Sequence, residues 1–149
     1  MKLSTKGRYG VRAMLDLAIN ASENHISLKS IAENQKISEH YLEQLIATLR
    51  KAGLVKSIRG AQGGYTLAYP SSQITVGAVL RALEGSLAPV DCVLEDEPYE
   101  CDISTCCVTK KIWERVRDSI NEVVDSITLQ DLVDDYRKIH SNDGYMFYI

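Results

Sequence analysis

Four cysteines lie within sixteen residues of this chain, and its other positions contain none. They are Cys92, Cys101, Cys106 and Cys107. The segment that holds them is acidic and contains Pro98, so it has the composition of an exposed loop. Because acidic neighbours keep such a loop in water, four thiols there cannot all serve as small buried apolar side chains. The pattern therefore predicts metal, cluster or redox chemistry at this segment.

The expected location of the protein, and the zinc and enzyme motifs that the sequence lacks, reduce the number of possible chemistries. No apolar run is long enough to span a bilayer, and residues 1–6 lack the apolar stretch of a secretory signal. We therefore expect a cytoplasmic protein whose thiols stay reduced. Structural zinc favours Cys-x-x-Cys pairs, which this chain lacks, although zinc and uncoordinated redox thiols stay open as alternatives. Without a phosphate loop or a paired acid–base motif, an enzyme is not expected.

Charge is distributed unevenly along the 149 residues. The net charge is −3, but residues 1–69 contain ten Lys or Arg against five Asp or Glu, a local charge of +5. Residues 70–149 contain seven against fifteen, a local charge of −8. A basic half can attract a polyanion, although it can also be only a solvated surface.

The basic half has the pattern of a winged helix-turn-helix. Apolar spacing predicts a first helix over residues 8–21, and Ser27 and Ser38 are typical N-caps for two further helices across a short turn. Extended segments at 54–59 and 65–69 then flank a glycine-rich tip, which is the pattern of a wing. The alternative to a role in DNA binding for Gly60, Gly63 and Gly64 is that they only supply positive φ in a hairpin.

The second helix of a helix-turn-helix enters the major groove, where Gln can pair with adenine and Glu can accept from cytosine. Basic side chains nearby would contact phosphates or the minor groove. The predicted DNA-binding residues are Glu39, His40, Glu43, Gln44, Lys51, Lys56, Arg59 and Gly60. Each is also compatible with an ordinary surface position, and a winged helix can instead serve protein contacts.

The acidic half predicts a dimerisation element. Thr75 begins a helix that ends at Gly85, and a longer helix over 108–126 has apolar residues at coiled-coil spacing. These residues are Trp113, Val116, Ile120, Val123 and Ile127. Because one small domain cannot cover so long a seam, we expect a homodimer that presents two recognition helices to a pseudo-palindromic operator in double-stranded DNA. A short last helix from Thr128 and an apolar tail at 144–149, docked on the dimer, would follow.

The predicted fold is therefore mainly α with a small β-wing, a winged helix-turn-helix domain plus a long dimerisation helix. Residues 1–85 would form the DNA-binding domain and 86–107 the cysteine-rich cluster-binding loop. Residues 108–149 would form the dimerisation helix, the short last helix and the tail.

Three motifs resemble the iron-sulfur cluster regulator (IscR) family: the opening residues 1–10, Tyr41-Leu42-Glu43-Gln44-Leu45, and the wing at 55–65. The resemblance covers residues 1 to about 135. It implies a dimeric winged-helix transcriptional regulator whose loop holds a 2Fe-2S cluster on three cysteines and one other ligand. By position, those cysteines are Cys92, Cys101 and Cys107.

Two departures from the family pattern fall at this site. Eight residues separate Cys92 from Cys101, which is more than is usual in the family. Lys110 stands where the family has a histidine, and a protonated lysine cannot ligate iron. Cys106, a nearby carboxylate such as Asp102, or a residue from elsewhere is left as the fourth ligand.

Residues 27–32 and 144–149 also resemble the CymR repressors of cysteine metabolism, which have no cluster and bind a cysteine synthase. We therefore predict a repressor or regulator that senses iron-sulfur or redox status and controls cluster-biogenesis or related genes. The alternative is a cluster-free repressor of cysteine and sulfur metabolism, regulated by a cysteine synthase partner or by thiol oxidation.

Overall fold

The computed structural model of the chain describes residues 2–21 and 25–146. Six helices and two strands follow one another in this part of the chain. In order they are α1 Thr5–Ile19, α2 Leu28–Gln35, α3 Glu39–Lys51, β1 Val55–Ile58, β2 Gly64–Leu67, α4 Val76–Glu84, α5 Lys110–Ser126 and α6 Leu129–Met146. Within the described ranges, no helix is both long and apolar enough to cross a membrane.

Side-chain caps set where the helices begin. The Ser27 and Ser38 hydroxyls each accept from a backbone N–H three residues later, which confirms both as N-caps. Ser4 also caps a helix, so α1 begins at Thr5, earlier than the apolar spacing alone indicated. Lys36 closes α2 in the left-handed conformation at φ 55°, and this makes the short turn into α3.

The wing is confirmed as an antiparallel pair with Val55 opposite Leu67. It is tied to the entrance of α2 because Ile26 and Tyr65 exchange both backbone hydrogen bonds, at 3.0 and 2.9 Å. At the tip Gly60 has positive φ (122°).

Gly63 and Gly64 are required for a reason other than positive φ. A Cβ on Gly63 would lie 2.2 Å from the Ile58 carbonyl oxygen, and one on Gly64 would lie 2.4 Å from the Ile26 carbonyl oxygen. Close backbone contacts therefore demand glycine at these two positions, and positive φ does not.

Helices α1 and α3 supply most of the buried side chains in the core of the winged domain, and α2, α4 and α6 supply others. Its fully buried side chains include Ala13, Met14, Leu17, Ile31, Leu42, Ile46, Leu49, Ile74, Val79, Leu129 and Val133. The last two belong to α6, so the start of this helix lies inside the winged domain.

The prediction of a short last helix was wrong, because α6 extends for 18 residues. Thr128 and Asp131 form a capping box, with Asp131 N–H donating to the Thr128 hydroxyl (3.2 Å) and Thr128 N–H donating to the Asp131 carboxylate (2.9 Å). Leu129 and Val133 anchor the first turn in the core. Residues 147–149 of the expected apolar tail lie outside the described part of the chain.

The long helix α5 begins at Lys110 and contains no buried residue. It rests on α4 and on the 3₁₀ turn Asp91–Val93. Ile112, Trp113 and Val123 on this helix are 50%, 36% and 57% exposed in the single chain. The apolar seam predicted from the sequence is thus only partly covered by the protein's own domain.

Candidate DNA interface and cysteine loop

The outer face of α3 carries four of the predicted DNA-binding residues. Glu39, His40, Glu43 and Gln44 are all exposed, while Leu42 and its helical neighbours turn into the core. The Gln44 amide nitrogen lies 3.2 Å from His40 Nε2, so these two side chains position each other. The amphipathic spacing of α3 therefore leaves its polar face exposed, where it is free to contact base edges.

The other four predicted residues lie at the end of α3 and on the wing. Lys51 ends α3, Lys56 lies on β1, and Arg59 and Gly60 begin the wing tip; all are exposed. Two exposed surfaces of the domain, the α3 face and the wing, thus carry side chains of the types used for base and phosphate contacts. Which of these residues contacts DNA stays a prediction.

Glu43→Ala is expected to broaden operator choice, because a carboxylate against base edges disfavours sequences that offer no donor. The measurement is affinity for a panel of operators that differ at single base pairs. Glu33→Ala, which removes an exposed glutamate from α2, is the matched control. If Glu43→Ala discriminates between the operators as the wild type does, a role of Glu43 in operator choice is contradicted.

Sequence patterns missed the contacts that hold the recognition helix against α1. The Tyr41 hydroxyl donates to Thr5 Oγ1 (3.1 Å), and the Tyr41 and Tyr9 rings meet edge to face with centroids 6.1 Å apart. The Arg12 guanidinium lies 5.1 Å from the centre of the Tyr9 ring. Tyr9 and Arg12 are visible in the sequence, but no local pattern indicates that Tyr9 contacts Tyr41, which lies 32 positions later.

A second contact of this kind joins α1 to α2. Gln35 accepts from Arg12 Nε (2.7 Å) and donates to the Asp16 carboxylate (2.8 Å). Burial raises the pKa of Asp16, and the hydrogen bond from Gln35 opposes that rise. This polar chain behind the helix-turn-helix keeps α2 in register with α1.

The four cysteines are free, with Cys101 and Cys106 exposed and Cys92 and Cys107 half-buried. The pKa of the Cys107 thiol is lowered, first by the Thr109 hydroxyl 3.1 Å away and then by the backbone N–H of Lys110. A lowered pKa raises the thiolate fraction at neutral pH, and the thiolate is the form that binds metal and reacts with oxidants.

The chemistry of these donors fits an iron-sulfur cluster, but their arrangement is open. Among the described residues, no three His, Cys, Asp or Glu side chains form a group able to hold a metal ion. Only the beginning of the loop is packed, where Val93 is 2% exposed and its carbonyl accepts from Arg117 Nη1 (3.1 Å). Bringing the later cysteines to Cys92 would require the exposed part of the loop to close.

Comparisons with known proteins agree with this architecture. Residues 3–135 match the model of the Rrf2 family, described as an iron-dependent transcriptional regulator. The HTH-type transcriptional regulator CymR of Bacillus subtilis (strain 168) is 48% identical over 149 residues, all of both chains.

Two solved structures are similar as well. The structure titled as CymR, the global cysteine regulator of B. subtilis, has a TM-score of 0.74 and 51% identity, covering 90% of this chain and 97% of that one. T. potens IscR has a TM-score of 0.78 and 53% identity, covering 99% and 97%. The relatives thus include proteins named for each of the two regulators that the sequence resembles.

Proposed function

Because the chain belongs to the Rrf2 family, whose members are DNA-binding transcriptional regulators and not enzymes, we propose that it is a cytoplasmic regulator that senses iron-sulfur or redox status through residues 86–107. The observation that carries this proposal is the position of the thiols. Four free thiols lie in one loop, one of them has a lowered pKa, and a hydrogen bond from Arg117 to the Val93 carbonyl holds the beginning of the loop against α5.

Cys92, Cys101 and Cys107 are the proposed ligands of a 2Fe-2S cluster. Cys106 and Asp102 are the candidates for the fourth position. The cluster would supply a centre whose assembly and loss depend on iron and oxygen. This chain's residues would hold it, and closing the loop on it would order the exposed residues between Cys92 and Cys107.

A second copy of this chain is the proposed cover for the exposed apolar residues of α5. A two-fold dimer would place one α3 face on each half of a pseudo-palindromic operator. The affinity for the operator would then differ between the cysteine loop with its cluster and the loop without it. The difference is the coupling free energy, typically about 1–3 kcal/mol, which corresponds to a change in affinity of roughly 5- to 150-fold. Genes of cluster biogenesis or related functions are the proposed targets.

Cys92→Ala and Cys107→Ala are each expected to abolish visible cluster absorbance and to alter operator choice, because each removes one thiolate ligand. The measurement is the visible spectrum and iron content after oxygen-free purification. Ser104→Ala, in the same loop, is the control and should keep wild-type iron. Full iron in Cys92→Ala would refute the ligand assignment.

A cluster-free repressor of cysteine metabolism is the second candidate function. Identity to B. subtilis CymR over the whole chain supports it, as does Lys110 at the expected histidine position. The lack of a three-ligand group among the described residues also supports it. In that case a cysteine synthase partner or thiol oxidation would supply the signal. A colourless protein that binds DNA and whose affinity changes with a purified cysteine synthase would favour this candidate.

A further inference from the structure

A polar network joins the cysteine loop to α4 and α5. Glu95, three residues after Cys92, accepts from the Ser86 hydroxyl (2.7 Å) and from the Asn121 amide (3.0 Å). Asn121 in turn accepts from Arg81 on α4 (2.8 Å). Arg81 also donates twice to the Asp125 carboxylate of α5, at 2.7 and 2.9 Å. Ser86, Glu95, Asn121, Arg81 and Asp125 are called the α4–loop network below.

Gly77 on α4 is fitted to this network. A Cβ at Gly77 would lie 2.0 Å from Asp125 Oδ1 and 2.9 Å from Arg81 Nη1. The position is buried and helical, where glycine is otherwise unfavourable by about 1 kcal/mol relative to alanine. Both atoms are the ends of side chains, so a Cβ at this position would displace the Arg81–Asp125 pair from its present geometry.

The helix α4 also contacts α1. A Cβ at Gly10 would lie 1.9 Å from Leu83 Cδ1, so α1 and α4 also touch closely. The Glu84 carboxylate accepts from the backbone N–H groups of Ser4 and Gly7, both at 3.0 Å, and so binds the beginning of α1. Since α1 holds the recognition helix through Tyr41, contacts are continuous from Glu95 to α3.

The network is better suited to positioning than to stabilising the fold. The side chains of Arg81 and Asp125 are 36% and 45% exposed, and exposed ion pairs contribute little to stability. Bidentate Arg–carboxylate geometry nevertheless fixes direction as well as distance. The hydrogen bonds from Ser86 and Asn121 also lower the pKa of Glu95, which favours the ionised carboxylate that accepts them.

We propose that Glu95, Asn121 and Arg81 are positioning residues through which the state of the cysteine loop reaches α4 and then the recognition helix. The proposal rests on the sensing function proposed above and names the residues that carry its regulation. Rearrangement around Cys92 would shift Glu95, release Asn121 and Arg81, and so change how α4 sits against α1.

The test compares the full-length protein with reduced thiols and with thiols alkylated by N-ethylmaleimide. DNA selected by the wild-type protein from a random-sequence pool is the ligand, and the measured quantity is the ratio of the two Kd values. A wild-type ratio of about fivefold or more is expected. In Glu95→Ala the ratio should fall close to one, with equal alkylation and an unchanged Tm.

Asp96→Ala is the matched control, because it removes the neighbouring exposed carboxylate and should keep the wild-type ratio. Glu95→Gln retains an acceptor oxygen and should restore part of the ratio. Gly77→Ala should lose the ratio without changing any polar group. A large wild-type ratio that Glu95→Ala retains would overturn this inference alone. A wild-type ratio near one would contradict the sensing function as well.

Discussion

Gly63→Ala is expected to weaken operator binding by roughly 5- to 150-fold, the equivalent of losing one specific DNA contact of about 1–3 kcal/mol. The added Cβ would lie 2.2 Å from the Ile58 carbonyl oxygen and 3.0 Å from that of Gly60. Because both neighbours are backbone atoms, the tip must move, and Arg59 moves with it. The core is remote from the tip and should stay folded. Fluorescence anisotropy on labelled operator DNA measures the loss.

Ala61→Ser is the control for this variant, since Ala61 is exposed at the same tip. It should bind DNA as the wild type does. A thermal melt of Gly63→Ala should coincide with the wild-type melt to within a few degrees. Wild-type affinity in Gly63→Ala would contradict a role for the wing in DNA binding.

Leu42→Ala is expected to lower the free energy of unfolding by about 2–5 kcal/mol. Leu42 is 0% exposed on the inner face of α3, where it packs into the core beneath the predicted DNA-binding face. Truncation removes buried apolar contacts and leaves a cavity that the surrounding helices cannot fill completely. Urea unfolding at one fixed protein concentration measures the change, because the apparent stability of the proposed dimer would depend on concentration.

Ala47→Ser, on the exposed face of the same helix, should stay within about 0.5 kcal/mol of the wild type. A loss below about 1 kcal/mol in Leu42→Ala would mean that the α3 core is not packed as described. The comparison also separates stability from DNA binding, since neither residue is among the predicted DNA-binding residues.

The helix-turn-helix and the wing were predictable because their determinants are local. Ser27 and Ser38 cap helices whose apolar spacing is visible in the sequence, and the glycine-rich tip lies between two extended segments. Patterns of this kind depend on residues only a few positions apart, so a single sequence reveals them.

The length and anchoring of α6 were not predictable from local patterns. Leu129 N–H donates to the Ile74 carbonyl (2.9 Å), and the Leu129 side chain enters a core built by distant helices. The α4–loop network was not predicted for the same reason, since Arg81 and Asp125 are 44 positions apart in the sequence. Long-range pairs leave no periodic trace in one sequence.

The cysteine loop lies between these two cases. Residue type and clustering identified its thiols, and the position of Cys107 beside Thr109 adds a physical reason for thiolate character. How the four sulfurs are arranged cannot follow from composition, since it depends on what they bind. The fourth ligand is also not given by the sequence, because Lys110 stands where the family resemblance would have supplied a histidine.

We propose that this loop gives the winged-helix regulator its iron-sulfur sensitivity. The most direct measurement is purification without oxygen, followed by a visible spectrum and by iron, acid-labile sulfide and zinc content per chain. We expect a coloured protein with two irons and two sulfides per chain, the composition of a 2Fe-2S cluster. A colourless, iron-free protein that resists reconstitution with iron and sulfide would contradict it.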